Sequence, residues 1–158
     1  MTSLLSFLLV LSLLGGGLVV GVHLAFANAV LPGLANHEPE QAMFGVRQIN
    51  DRLADARFMV VFYGTLLAVC AVGIVAFLSL DSVERWWLVA GAVIYVIGPF
   101  GITLLHQDPL NHDLRAADWS NAGRVWPAFR RRAQFWSAIR AALGIAAIGA
   151  LAIGALEF

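Results

Sequence analysis

Apolar residues fill four long stretches of the chain, and polar segments separate them. The stretches cover residues 4–31, 58–80, 86–105 and 133–156, and Arg140 is the one charged residue inside them. A helix needs ~20 apolar residues to cross the hydrocarbon of a bilayer, and a backbone in lipid has to satisfy its own hydrogen bonds. The pattern therefore predicts an all-α, polytopic membrane four-helix bundle that forms a single integral membrane domain over residues 1–158.

A cleaved signal peptide is the alternative interpretation of the first stretch, because Ala25-Phe26-Ala27 imitates a cleavage site with small residues. The opening Met-Thr-Ser, however, offers no basic region, and the apolar stretch is longer than a signal peptide requires. We expect the stretch to be retained as the first span.

The two long polar segments, residues 32–57 and 106–132, are predicted to carry short amphipathic helices. Residues 41–57 mix apolar side chains with charges, which suits a helix lying at the membrane surface. Asp108-Pro109 is typical of an N-cap followed by a proline in the first helical turn, and it predicts a short helix over residues 109–117.

The arginines indicate the orientation of the chain in the membrane. With four spans, the two long polar segments lie on the same side, and that side carries Arg47, Arg52, Arg57, Arg115, Arg124, Arg130, Arg131 and Arg132. The opposite side carries only Arg85. An excess of positive charge marks the cytoplasmic side. We expect an integral protein of a bacterial inner membrane with both termini extracytoplasmic.

The composition excludes an ordinary cytosolic enzyme, a disordered chain and a nucleic-acid-binding protein. Apolar residues make up 60% and charged residues 13% of the chain, against ~45–50% and ~25% in soluble domains. The net charge is zero, so we expect no nucleic-acid partner. Cys70 is the only cysteine, which excludes an internal disulfide.

Small residues recur at every fourth position on two of the predicted spans. They are Gly17, Gly21, Ala25 and Ala29 on the first span, and Ala142, Ala146, Ala150 and Gly154 on the fourth. Such spacing lets helix backbones approach closely. We expect the first and fourth spans to pack together through these faces; the alternative is that the faces build a homo-oligomer.

The two halves of the chain share a short pattern. Asn50 lies in Ile49-Asn50-Asp51-Arg52-Leu53, and Asn111 lies in Leu110-Asn111-His112-Asp113-Leu114. Both segments read aliphatic-Asn-x-x-Leu, which would follow from a two-span unit repeated in the same orientation. A chance match of three positions is the alternative.

Polar residues at one depth of the predicted spans form the candidate functional cluster. His23, Asn28, His106 and Arg140 all fall just inside the cytoplasmic side, where ionisable groups normally face the bundle interior or water. Each has a simpler explanation. Arg140 can extend toward the headgroups, His23 can be an interhelical hydrogen-bond donor, His106 can be solvated, and Asn28 can bond across to another helix.

The cluster contains residues that could also bind a metal ion. Imidazole and carboxylate groups are ordinary ligands for iron, copper or zinc, and the weak candidates are His23, His106, Asp108 and His112. Their spacing matches no compact metal motif. The sequence leaves two alternatives for the cofactor: a metal ion such as iron or copper, or no cofactor.

Short motifs in a fixed order make the chain resemble the anthrone oxygenase family. They are Val30-Leu31-Pro32-Gly33-Leu34, Gln48-Ile49-Asn50, residues 58–64, Pro109-Leu110-Asn111, and finally Trp126, Trp136 and Arg140. The chain departs from its relatives in having Gln107-Asp108 where they usually have Asn-Val before Pro-Leu-Asn. Fungal members oxidise anthrones to anthraquinones with dioxygen.

The resemblance implies an oxygenase that acts on a lipophilic aromatic molecule inside the membrane. In that role His23 or His106 would remove a proton, and Arg140 would stabilise an enolate oxygen. The substrate-binding candidates are Asn28, Asn50, Asn111 and Trp136. The alternative function is a non-enzymatic membrane module that binds a lipophile or serves as a scaffold or transport accessory. An ion carrier is a weaker third, since the spans contain no carboxylate.

Overall fold

The computed structural model describes residues 2–157, and these residues are almost entirely helical. The α-helices are α1 (Thr2–Ala25), α2 (Leu31–Leu34), α3 (Pro39–Leu53), α4 (Ala56–Ser79), α5 (Val83–Tyr95), α6 (Asp108–Ala116) and α7 (Ala122–Glu157). A 3-10 turn covers Trp119–Asn121, and no strand occurs within residues 2–157. The all-α class is therefore confirmed.

Four helical stretches are long and apolar enough to cross a membrane: Ser3–Leu34, Ala56–Ser79, Val83–Ala116 and Trp119–Glu157. Their most apolar windows have mean hydropathies of 2.0 to 2.4. The first and second agree closely with the sequence prediction, and the third and fourth extend beyond it into the polar segments. We refer to them below as the first to fourth spans.

The third span continues through Asp108, so the predicted helix N-cap at this residue is wrong. Asp108 has helical dihedral angles of −65° and −44°, and Gln107 before it is helical as well. The predicted short helix exists as α6, but it continues the third span without a loop. Wider π-helical turns over Val96–Gly101 and Thr103–Gln107 carry the backbone past Pro99, whose ring and missing N–H are incompatible with a regular α-helix.

Helix α3 closes one end of the bundle by packing against α6 and the start of α7. Its buried side chains are Ala42, Met43 and Val46, which lie in an apolar cluster with Leu114 and Trp126. Arg47 strengthens this contact because its guanidinium donates to the Leu114 carbonyl and, at 3.1 Å, to the Ala117 carbonyl. The two long polar segments therefore lie at the same end of the bundle.

The connection between the third and fourth spans is short and locally capped. Asp118 accepts a hydrogen bond from the backbone N–H of Ser120 at 3.1 Å. This bond holds the pKa of the Asp118 carboxyl below its usual range, because a charged carboxylate is the better acceptor.

The first span does not pack against the fourth through its predicted small-residue face. Gly17, Gly21, Ala25 and Ala29 are all exposed. The inner face of the first span lies on the opposite side and carries Val19, His23 and Ala27, which are buried at spacings of four residues.

The contact with the fourth span uses different small residues on both helices. A Cβ on Gly16 would lie 3.2 Å from Ile148, and a Cβ on Gly144 would lie 3.4 Å from the Cβ of Val20. Of the predicted face on the fourth span, Ala150 and Gly154 are buried while Ala142 and Ala146 are exposed.

Candidate functional site

A cavity of about 320 Å³ lies beneath α3, among the first, second, third and fourth spans. Its volume is at the lower end of the ~300–1,000 Å³ typical of small-molecule sites. The polar residues that line the cavity include His23, Asn50, Gln107, Asn111 and Arg140. These five residues come from four separate helical segments, so the folded bundle is required to bring them together.

Arg140 lines the cavity and is only 5% exposed. One terminal nitrogen, Nη1, donates to Thr103 Oγ1 at 2.9 Å. The other, Nη2, donates to Gln107 Oε1 at 3.2 Å and to Ser137 Oγ at 3.0 Å. Its side chain is thus held inside the bundle rather than extended toward the headgroups. This matters because an unpaired buried guanidinium is costly.

Some hydrogen-bonding capacity of Arg140 is left over. A guanidinium has five N–H groups, and the bonds to Thr103, Gln107 and Ser137 occupy three of them. Nε is fully buried and has no partner among the residues that the structure describes. The group therefore retains hydrogen-bonding capacity beyond its three bonds to the protein.

The π-helical turns of the third span explain why Thr103, Gln107 and Asn111 all line the cavity. Four residues of an α-helix exceed one turn of 3.6 residues, so a face repeated every four positions drifts around the helix. A π-helical turn holds more residues and offsets that drift. The chain of polar side chains at 103, 107 and 111 consequently stays on one side of the helix.

Gln107 connects Arg140 to the two asparagines of the cavity. Its Nε2 donates to Asn111 Oδ1 at 3.1 Å, and Asn50 Nδ2 donates to the same oxygen at 3.1 Å. The bonds run from the fourth span through the third span to α3. Asn50 and Asn111 are the matching positions of the short sequence pattern, and the fold brings them into contact.

His23 supplies a buried imidazole to the same cavity. It is 5% exposed, and its Nε2 has no hydrogen-bond partner within residues 2–157. The inner face of the first span orients it, since Val19 and Ala27 are buried one turn before and after it. The imidazole therefore keeps an unused hydrogen-bonding position at this nitrogen.

Aromatic side chains also line the cavity, and we refer to them as its aromatic wall. Phe58, Phe62 and Tyr63 come from the start of α4, and Phe26 comes from the π-helical turn of the first span. Phe62 also packs against Phe100, with ring centroids 5.7 Å apart, and this contact stabilises the position of its ring. Such a wall favours planar apolar ligands through dispersion and ring stacking.

The rim of the cavity carries exposed charged and polar groups. Asp108, His112 and Arg115 line it, and the Arg115 guanidinium forms an exposed ion pair with Asp51 of α3. The pair joins the same two helices as the Asn50–Asn111 hydrogen bond.

Three of the predicted site residues do not line the cavity. His106 is exposed, and its ring stacks on the indole of Trp136 with centroids 3.9 Å apart and an angle of 6° between the planes. Asn28 is exposed as well. Of the predicted residues, the structure brings together His23, Asn50, Asn111 and Arg140, and it leaves His106, Trp136 and Asn28 outside.

The weak candidates for a metal site do not converge. In the part of the chain that the structure describes, no three His, Cys, Asp or Glu side chains come together as a metal-binding group. His23, Asp108 and His112 line the same cavity, whereas His106 lies outside it against Trp136.

Sequence reasoning missed Thr103, Gln107 and Ser137, which hold Arg140. The spacing of four residues between Thr103, Gln107 and Asn111 was the available signal. Ser137 lies three residues before Arg140, within one helical turn.

A family model described as anthrone oxygenase matches residues 58–150 of the chain. The match includes Phe58, Phe62 and Tyr63, the third span with Gln107 and Asn111, and Arg140. No curated protein and no solved structure matches the chain.

Proposed function

Because the chain belongs to the anthrone oxygenase family, we propose that the cavity binds a lipophilic aromatic molecule and that the protein oxidises it with dioxygen. The observation that carries this proposal is that two buried groups, His23 and Arg140, line the same cavity together with aromatic side chains. Arg140 retains unpaired donors, and His23 Nε2 has no partner within residues 2–157.

Binding rests on the combination of aromatic and polar residues that line the cavity. A planar ring system packs against Phe58, Phe62 and Phe26, and its carbonyl oxygen turns toward Arg140. A lipophilic ligand partitions into the bilayer first, so it approaches the helices from lipid rather than from water.

The first chemical step is removal of a proton from the ring methylene carbon, which is conjugated with the carbonyl group through the flanking aromatic rings. His23 Nε2 takes this proton as the general base, since a neutral imidazole nitrogen without a hydrogen carries a lone pair that can accept a proton. The electron pair moves onto the carbonyl oxygen and forms an enolate. Arg140 donates hydrogen bonds to that oxygen, and a donor already held by Thr103, Gln107 and Ser137 needs little rearrangement to do so.

Dioxygen then serves as the oxidant. The carbanion carbon forms a C–O bond with one oxygen atom, the O–O unit is reduced by two electrons to a peroxide, and the imidazolium returns its proton to the outer oxygen. Loss of the second proton from the same carbon breaks the O–O bond and forms the new carbonyl. One oxygen atom remains in the quinone and the other leaves as water, so the methylene carbon loses four electrons in all.

The test is turnover of anthrone by the purified protein in detergent. We expect quinone to appear with uptake of one dioxygen per molecule, and His23→Ala to lower the rate by about 10²- to 10⁴-fold. Trp87→Phe is the matched control, because Trp87 is 41% exposed and does not line the cavity. Quinone formation no faster than the uncatalysed reaction would overturn the proposal.

The same experiment separates the oxygenase from a non-enzymatic module. A protein that binds the aromatic molecule but leaves it unoxidised in air is a lipophile-binding, scaffold or transport-accessory protein. In that case His23→Ala leaves the biological function intact, whereas an oxygenase loses it.

We further propose a bacterial inner membrane as the location, with both termini extracytoplasmic. The proposal rests on the arginines at the end of the bundle where Arg47 joins α3 to α6. In a Cys70→Ser background, single cysteines at Ser82 and Gly123 are expected to label from opposite sides of the inner membrane, Ser82 from the periplasm. Periplasmic labelling of position 123 alone would reverse the orientation.

A further inference from the structure

The direction of every hydrogen bond between Arg140 and Asn50 follows from the chemistry of the guanidinium. A guanidinium only donates, so the Gln107 side chain presents its oxygen, Oε1, to Arg140. Its amide nitrogen is thereby turned toward Asn111, and Asn111 presents Oδ1 in return. Arg140 thus fixes the orientation of both amides without touching Asn111.

The hydrogen bond from Asn50 to Asn111 leaves one polar atom of each side chain without a partner within residues 2–157. Asn111 Oδ1 accepts from both Gln107 and Asn50, which occupies its two lone pairs. Asn111 Nδ2 and Asn50 Oδ1 have no partner among the described residues, and both side chains line the cavity. The hydrogen-bonded pair of Asn50 and Asn111 therefore offers one unused amide donor and one unused amide acceptor, neither of them bonded to Arg140.

We propose that Asn50 and Asn111 form a subsite for a hydroxyl group on the aromatic ligand, and that Gln107 is the positioning residue that sets its polarity. A hydroxyl donates one hydrogen bond and accepts others, so it satisfies Asn50 Oδ1 and Asn111 Nδ2 together. An ether oxygen only accepts and leaves Asn50 Oδ1 unpaired. The inference rests on the proposed function, since it assumes that the cavity holds an aromatic ligand.

The size of the preference follows from the cost of an unpaired polar group. A site built to hydrogen-bond a hydroxyl discriminates against an analogue that lacks the donor. For one neutral hydrogen bond, we expect the hydroxylated ligand to bind about tenfold more tightly than its methyl ether.

The experiment compares 1-naphthol with 1-methoxynaphthalene, which has the same rings but no hydroxyl donor. Both are titrated against the full-length protein in detergent without oxygen, with protein-free micelles as the correction for partitioning. Working without oxygen separates binding from oxidation. We expect a preference of about tenfold for 1-naphthol, and we expect Asn50→Leu and Gln107→Met to reduce it to near one.

Ser137→Ala is the matched control for Gln107→Met. It removes a different bond from the same guanidinium nitrogen, Nη2, and leaves the bonds among Gln107, Asn111 and Asn50 in place. The preference for 1-naphthol is therefore expected to survive in Ser137→Ala. The preference for 1-naphthol is expected to survive in His23→Ala as well. This result would show that the amide pair, and not the imidazole, recognises the hydroxyl group.

Each other result overturns the subsite. Equal binding of the two ligands to the parent protein, or a preference that persists in both Asn50→Leu and Gln107→Met, rejects the subsite and leaves the aromatic cavity standing. Binding of neither ligand rejects the proposed function and the subsite with it.

Discussion

The half of the bundle near the α4–α5 turn and the half beneath α3 pack their helices in different ways. In the first, α5 and α7 approach closely at two reciprocal contacts. A Cβ on Gly91 of α5 would lie 2.8 Å from Leu151 of α7, and a Cβ on Gly154 of α7 would lie 2.7 Å from Leu88 of α5. Close backbone approach of this kind supplies the dispersion energy that holds helices together in lipid.

The half beneath α3 relies on hydrogen bonds around a space that side chains leave open. Arg140, Gln107 and Asn111 are linked to one another, and π-helical turns replace regular helix along the third span. A ligand is therefore expected to bind in the half beneath α3. There the side chains leave a cavity with unused hydrogen-bond donors and acceptors, whereas side chains fill the apolar core. The close helix contacts and the proposed site therefore lie in separate halves, and we expect substitutions to disturb them separately.

Among the substitutions that separate the two halves, Arg140→Lys is expected to have the largest effect, and this effect is confined to the polar half. A lysine ammonium keeps the charge but cannot reproduce the planar arrangement of donors that reaches Thr103, Gln107 and Ser137. Loss of an oriented donor typically lowers turnover about 10²- to 10³-fold. Steady-state oxidation of anthrone measures the loss, while expression and thermal denaturation are expected to change little.

The control for this substitution is Arg132→Lys, on the same helix but exposed. It is expected to match the parent protein in turnover and stability. Near-parental turnover of Arg140→Lys would show that a positive charge suffices at this depth, and that the held guanidinium is not required.

Gly91→Ala is expected to damage the other half without touching the cavity. The new Cβ would meet Leu151 Cγ at 2.8 Å and the Ala147 carbonyl oxygen at 2.9 Å. Overpacking of this kind typically costs about 1–3 kcal/mol, which thermal denaturation in detergent detects. Turnover per folded molecule is expected to stay at the parental value.

Gly149→Ala is the matched control, since a Cβ there meets nothing within 4 Å. It is expected to leave the denaturation temperature unchanged or slightly raised, because alanine is the better helix former. An equal loss in both variants would mean that the close α5–α7 contact does not stabilise the bundle.

The apolar half was the more predictable one from the sequence. Uninterrupted apolar stretches determine that four helices form and roughly where they begin and end, because lipid leaves the backbone few alternatives. Which face of each helix turns inward was harder to predict. Gly17 and Gly21 form a regular small-residue face, yet Val19 and His23 are the buried positions.

The polar half was predicted in part, and the misses have a physical cause. Buried ionisable groups are rare enough for His23 and Arg140 to stand out by position alone. The partners of Arg140 depend on π-helical turns around Pro99 and on the relative rotation of two helices, which the four-residue spacing of the polar side chains does not determine by itself. Asp108 was misread for the same reason, since Asp-Pro predicts a helix start unless the preceding turns widen to keep the helix going.

Tyr95→Phe is expected to give the smallest effect and to sharpen the description of the apolar half. Tyr95 lies in the core cluster at 1% exposure, and its hydroxyl has no hydrogen-bond partner among the described residues. Removing an unsatisfied buried hydroxyl while keeping the ring typically raises stability, here by about 1 kcal/mol. Tyr63→Phe is the control, because Tyr63 is 47% exposed and its hydroxyl carries no such cost. A lower denaturation temperature for Tyr95→Phe would indicate a bound water satisfying the hydroxyl, and the packed half would then contain a polar site of its own.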